Sequence, residues 1–243
     1  MDASCNNQSH RDELSSENEV LAKKAQLAVF DFDGTSIEGN SPVMLVSYLA
    51  RKRMLRKRVV FKIMLWGLRY KLRLPQDESW VRGQVFSAFE GKPVRDVDAF
   101  LSRFYEEVVA HRFRPDATEA MVRHAREGMD VVVVSASFEP IILRAMEDHP
   151  FQFQISTRMR KTPDGTYTRE VEGLPVEGDE KLAAVTRFAN ERYGKGNWVI
   201  AHAYGDHHSD RTVLKAAVVP HAVDPDRPLL RTARKLGWDV LDW

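Results

Sequence analysis

Short apolar runs that alternate with helical patterns constrain this 243-residue chain more than any other feature. Residues 27–33, 131–135, 198–204 and 216–219 are rich in β-branched or aromatic side chains, and most lead into a polar turn. Between them lie helical patterns. One starts at Pro115 and runs over 116–127 to a stop at Gly128; others span 139–148 and 179–193, the last closing at Gly194. Apolar runs spaced by helices predict an α/β fold, a Rossmann-like doubly wound parallel sheet covered on both faces. Residues 151–172 read as a β-hairpin turning at Pro163-Asp164-Gly165.

Residues 41–114 break the alternation. They hold no convincing strand but four helical patterns, at 42–57, 59–72, 77–89 and 94–111. The predicted division is therefore a polar leader over 1–26, a core from 27–40 and 115–243, and an inserted α-helical cap domain over 41–114. Ligands of open parallel sheets bind outside the carboxyl ends of the strands, so an insertion directly after the first strand becomes a lid over that edge. With 43% hydrophobic and 29% charged residues the composition is that of an ordinary globular protein. A net charge of +1 argues against a chain that is basic throughout, as many nucleic-acid binders are. The single cysteine, Cys5, has no internal partner for a disulfide and fits a reducing compartment. The leader lacks the apolar stretch of a secretory signal, and no run approaches the roughly 18 apolar residues of a membrane span. A cytoplasmic location is the expectation.

Four segments carry candidate chemistry. Asp31-Phe32-Asp33-Gly34-Thr35 closes the first apolar run. Carboxylates two apart at a strand end share a face and repel, unless a metal or a proton lies between them. A plain Asp-Gly turn or helix cap is the other reading. Ser135-Ala136-Ser137 ends the second run just before a helix, where a hydroxyl and free N–H groups can hold an anion or merely cap the helix. Lys181 sits in the first turn of the 179–193 helix, an awkward place for a cation because the helix dipole there favours anions; a plain surface lysine is the other reading. Gly205-Asp206-His207-His208-Ser209-Asp210 follows the third run and places two carboxylates four residues apart. It reads as an acidic loop, a hard-cation site or, with its histidines, a transition-metal site.

In this order, the four segments resemble the haloacid dehalogenase superfamily of phosphohydrolases, over residues 27–243. The helical insertion, Ser135-Ala136-Ser137, the Asp164-Gly165 hairpin and the tail around Ala222–Asp226 and Ala233–Trp238 are similar to the phosphoserine-phosphatase-like branch. The resemblance implies a phosphatase in which Asp31 is the nucleophile and Asp33 the general acid and base. It further implies Mg²⁺ held by the Asp31 side chain, the Asp33 carbonyl oxygen, Asp206 and waters. Ser135 and Lys181 would grip phosphoryl oxygens, Asp210 would orient Lys181 or the metal waters, and Gly34 and Thr35 would support the loop.

Two positions depart from that pattern. His207 stands where a serine is common, and with His208 it reads as a surface or second-layer imidazole rather than a metal ligand. Asn40 stands where phosphoserine phosphatases carry a glutamate for the substrate's amino group, and Glu38 is out of register. That points away from phosphoserine. From Arg51 to Arg73 there are ten Lys/Arg and no acidic residue, mixed with aliphatic and aromatic side chains; elsewhere 26 basic residues face 35 acidic ones. Such a stretch suits an amphiphilic phosphate, such as a lipid head group, and peripheral contact with the anionic inner face of a membrane. A small phosphorylated metabolite, with the stretch acting as an ordinary amphipathic helix pair, is the alternative. A nucleic-acid-binding module is the remaining rival; with all four segments present, no nucleic acid partner is expected.

Overall fold

A computed structural model describes residues 24–55, 83 and 85–243. The proposed 59–72 helix, most of the 77–89 helix and all of the leader up to residue 23 lie outside the described residues. Six parallel strands form one sheet in the order β3-β2-β1-β6-β7-β8. They are β1 (Ala25–Asp31), β2 (Asp130–Phe138), β3 (Phe153–Thr157), β6 (Trp198–Gly205), β7 (Val219–Val223) and β8 (Asp239–Leu241). A separate antiparallel pair joins β4 (Met159–Lys161) to β5 (Tyr167–Val171). β1 pairs with β2 on one side and β6 on the other, so the direction of winding reverses between β1 and β6. That switch point leaves a crevice at the carboxyl ends of the two strands. The fold is the expected Rossmann-like α/β sheet.

Period-two alternation decides which side chains go to which face. Leu27, Val29, Val132 and Val134 pack with Val185, Ala189, Val213, Leu214, Leu229 and Ala233. Those partners come from α5 (Asp179–Tyr193), α6 (Arg211–Ala216) and α7 (Arg227–Leu236), which cover one face. Ala28, Phe30, Val131 and Val133 pack on the other face with Met121 of α3 (Pro115–Arg126) and Ile141, Ile142 and Ala145 of α4 (Glu139–Asp148). Where β1 meets β6 the register moves from Leu27–Ile200 to Ala28–His202, so one extra residue, Ala201, is accommodated.

The described part of the insertion is helical: α1 (Ser41–Arg51) and α2 (Val94–Phe104), with a π turn at Tyr105–Val109 and a 3-10 turn at Ala110–Arg112. The pattern over 94–111 predicted one helix; the chain instead widens and then tightens its last two turns. Leu45, Leu49, Phe86, Phe89, Leu101 and Phe104 are buried in the same apolar cluster as Phe30 and Val133. Insertion and sheet thus share one core.

Several boundaries differ from the sequence reading: the helix expected over 42–57 ends at Arg51, and the strand expected over 131–135 runs on to Phe138. β1 begins at Ala25, inside the expected leader, because Ala25 pairs with Trp198. The last apolar run predicts a strand at 216–219, but Ala216 ends α6 and the strand is Val219–Val223. Pro220 and His221 disguise it, yet the strand pairs with both β6 and β8. The hairpin is confined to β4 and β5, while residues 153–157 form β3 and extend the main sheet beside β2.

A histidine cluster lies between α3 and the sheet. Tyr204 stacks on Phe30 at 4.2 Å and on His221 at 4.3 Å, and its hydroxyl meets His124 Nε2 at 2.8 Å. His202 Nδ1 lies 2.9 Å from His221 Nε2. Burial holds His124, His202 and His221 below the ordinary imidazole range, His221 at about 4. Arg123 adds to the depression, while Glu127 and Asp239 oppose it. An unfolded chain takes up protons near pH ~6.5 that the folded chain refuses, so this neutral cluster costs no stability above ~6.5 and becomes a liability as the pH falls toward 4. Between about pH 7.5 and pH 5 the thermal midpoint of the parent is expected to fall more, or rise less, than that of His221→Asn, because the buried Asp31, Asp33 and Asp206 work in the opposite direction equally in both proteins. Parallel profiles for the two proteins contradict this.

Candidate active site

Asp31 is the last residue of β1, and Val134 of β2 is its register partner. Asp31 is 7% exposed, beside Lys181 at 4% and Asp210 at 2%. Lys181 Nζ lies 2.6 Å from Asp31 Oδ1 and 2.6 Å from Asp210 Oδ1, so one ammonium bridges two carboxylates. Burial works against the Lys181 charge, but Asp210 and Asp31 outweigh it and hold the ammonium charged far above the usual lysine range. That resolves the cation in the first turn of α5: its partners are carboxylates from β1 and from the loop after β6.

Asp206 follows β6 and receives a hydrogen bond from Thr35 Oγ1 at 3.2 Å. Gly34, at φ +79°, lies so close that a Cβ there would come within 2.2 Å of Asp206 Oδ2. Close approach and a left-handed backbone both require glycine at this position. Oxygens of Asp31, Asp206 and Asp210 fall within 4.8 Å of one another. Burial, with Asp210 nearby, pushes Asp206 up to about 7. Burial and then Asp210 push Asp31 well above the carboxylate range, against the pull of Lys181. Three carboxylates gather around one ammonium, which pairs with two of them. The remaining negative charge and the hard oxygen donors fit a divalent cation such as Mg²⁺.

Asp33 behaves differently from the sequence expectation. The strand stops at Asp31, and a turn follows in which Ser36 N and Ile37 N both donate to Phe32 O at 2.9 Å. Asp33 therefore leaves the alternation and turns toward the insertion. Its Oδ1 accepts from Ser41 N at 2.5 Å and its Oδ2 from Ser137 Oγ at 2.7 Å. Burial raises its pKa, and the hydrogen bonds from Ser41 and Ser137 pull it back. The upward push comes from desolvation rather than from a neighbouring carboxylate.

Ser135 is fully buried one residue beyond Val134, and its hydroxyl accepts from Ser137 N at 3.0 Å. Asp210 Oδ2 also accepts from His207 N at 3.1 Å. The His207 ring caps the short turn through Ser209, and His208 Nε2 lies 3.2 Å from Arg211. Neither imidazole belongs to the carboxylate group. Asn40 caps α1, its Oδ1 accepting from Val43 N at 3.1 Å. Ser41, Ser137 and Arg114 were not singled out from sequence. Arg114 bonds Gly34 O at 3.3 Å and Asp224 at 2.8 Å. Ser137 alone left a signal, since it shares a strand face with Ser135.

The chain belongs to the haloacid dehalogenase-like hydrolases, whose family pattern matches residues 28–215. A phosphoserine phosphatase of Mycobacterium tuberculosis is 25% identical over 219 residues, covering 89% of this chain and 70% of that protein. A histidinol-phosphatase of Neisseria meningitidis is 25% identical over 242 residues, covering 89% and 98%. A solved structure from Bordetella pertussis, of unknown function, shares the fold with a TM-score of 0.79 at 22% identity, covering 90% of this chain and 99% of that one. Among the described residues, no helix is long and apolar enough to cross a membrane.

Proposed function

We propose that the protein is a Mg²⁺-dependent phosphomonoesterase that works through an aspartyl-phosphate on a small or amphiphilic phosphate. The observation that carries this reading is the Asp31–Lys181–Asp210 bridge beside Asp206 at the β1/β6 switch point. Lys181 holds one Asp31 oxygen, leaving the other to attack phosphorus in line. The ester oxygen leaves as an alcohol with a proton from Asp33. Asp33 then takes a proton from water, whose oxygen attacks the acyl phosphate, releasing phosphate and restoring Asp31. Ser135 and Lys181 bind the phosphoryl oxygens, and Asp210 keeps Lys181 aimed. The Asp31 and Asp206 side chains with the Asp33 carbonyl would hold Mg²⁺, with Thr35 and Gly34 supporting Asp206. Bound there, the ion supplies positive charge against the phosphoryl oxygens.

The substrate follows from the surroundings. Asn40 is committed to capping α1, which supports a substrate without an amino group read at that position. The basic, apolar stretch 51–73, mostly outside the described residues, supports an amphiphilic phosphate and peripheral contact with an anionic surface. The names of the two phosphatase relatives favour a second reading, a small amino-metabolite phosphate. Phosphate release should be measured from p-nitrophenyl phosphate, phosphoserine, histidinol phosphate and a phosphatidylglycerol phosphate in mixed micelles. Turnover is expected with Mg²⁺, loss on adding EDTA, and recovery on restoring the metal. Undiminished turnover in EDTA would sink the metal assignment, and faster turnover of the amino metabolites would decide for the second reading.

A further inference from the structure

We infer that Ser137, backed by Ser41, is a positioning residue that aims Asp33 at the leaving group, and that this contact ties proton transfer to the placement of α1. The inference rests on the reading of Asp33 as proton carrier, and it adds residues which that reading does not supply.

A carboxyl side chain at the end of a turn rotates about two bonds. Proton transfer needs its oxygens within hydrogen-bond reach of one particular atom. Here both Asp33 oxygens are held, Oδ1 by Ser41 N and Oδ2 by Ser137 Oγ. The two donors come from different elements. Ser137 belongs to β2 of the sheet, and Ser41 is the first residue of α1. Their hydroxyls also meet each other at 2.6 Å, and both residues are essentially fully buried.

Proton counting sets the order of this chain. Ser137 has one hydroxyl proton, which it gives to Asp33 Oδ2, so its oxygen accepts the proton of Ser41 Oγ. The Ser137 N–H is in turn accepted by Ser135 Oγ. Every hydrogen of the two inner serines is thereby assigned, and one lone pair on each Asp33 oxygen is occupied. Removing the Ser137 hydroxyl would release Oδ2 and leave Ser41 Oγ, buried, without its acceptor. Shifting the start of α1 would move both Ser41 contacts at once, its N–H on Oδ1 and its hydroxyl on Ser137. Proton transfer therefore depends on α1 being seated, whatever substrate is bound.

The test is the dependence of rate on the leaving group. An alkoxide needs a proton to depart, whereas p-nitrophenolate leaves without one. kcat/KM reports only the steps up to that departure. Ser137→Ala is expected to lower kcat/KM for an alkyl phosphate such as glycerol phosphate by about 10- to 100-fold, a part of the roughly 10²- to 10⁴-fold that a general acid supplies. The same change should lower kcat/KM for p-nitrophenyl phosphate by no more than about threefold. Ser41→Ala, which keeps the backbone N–H on Oδ1, should show the same split to a smaller degree, and covers the case in which Ser137→Ala does not fold. Asp33→Asn is the reference and should show the largest split. Equal losses on both esters, or no loss, in a folded Ser137→Ala or Ser41→Ala protein overturn the inference while Asp33→Asn still splits. If Asp33→Asn itself shows no split, the proton-carrier reading fails, and this inference with it.

Discussion

Asp31→Asn is expected to abolish phosphate release from p-nitrophenyl phosphate, by roughly 10⁴-fold or more, as removing an essential nucleophile does in other enzymes. The same variant should keep or raise the thermal midpoint. Asp31 is buried beside Asp210 and Asp206, and both burial and those neighbours push its ionisation upward. An amide removes that repulsion while still accepting a hydrogen bond from Lys181. Lys181 keeps Asp210 as its ion-pair partner at 2.6 Å. Loss of activity together with undiminished stability is the signature of a group held for chemistry rather than for folding. Steady-state turnover beside a thermal melt checks both halves. Retained turnover would rule out Asp31 as nucleophile.

Lys181→Met should cost both activity and stability. It strands Asp31 and Asp210, each less than a tenth exposed, without their shared cation. Breaking a buried ion pair from one side typically costs about 3–5 kcal/mol, which for a chain of this size lowers the midpoint by about 10 °C. A divalent cation should raise the midpoint of Lys181→Met more than that of the parent, because only in the variant does it meet three carboxylates with no resident positive charge. Differential scanning calorimetry with and without Mg²⁺ reads this directly. An unchanged midpoint would mean that the bridge contributes little.

Much of the sheet was legible because its central strands are pure apolar runs. The Phe30 and Val133 face and the Val29 and Val132 face are buried alike, as a sheet covered on both sides requires. The peripheral strands were not legible. β3 alternates Phe153, Gln154, Ile155 and Ser156 like a half-exposed hairpin limb, and it runs almost directly into β4. β8 has three residues and no pattern. In the site, Asp31, Lys181, Asp206 and Asp210 stood out because each is an awkward charge at an element end. The surroundings of Asp33 did not, since its partners Ser41 and Ser137 lie 8 and 104 residues away and are common residues. Their meaning depends on a turn at Phe32 that period-two reasoning cannot foresee.

The apolar cluster shared by insertion and sheet bears on how such a protein could be re-engineered. A recognition module that sat on its own core could be exchanged between relatives as a cassette, cut at residues 41 and 114. Here that cut would run through packed side chains. Leu45, Leu49, Phe86, Phe89, Leu101 and Phe104 are each essentially fully buried in the cluster that holds Phe30 and Val133. Each contributes about 1.5–3 kcal/mol by its burial. A transplanted helical segment would have to reproduce that surface or leave the sheet with a bare face. Altered substrate choice is therefore more accessible through point changes around the crevice than through wholesale grafting.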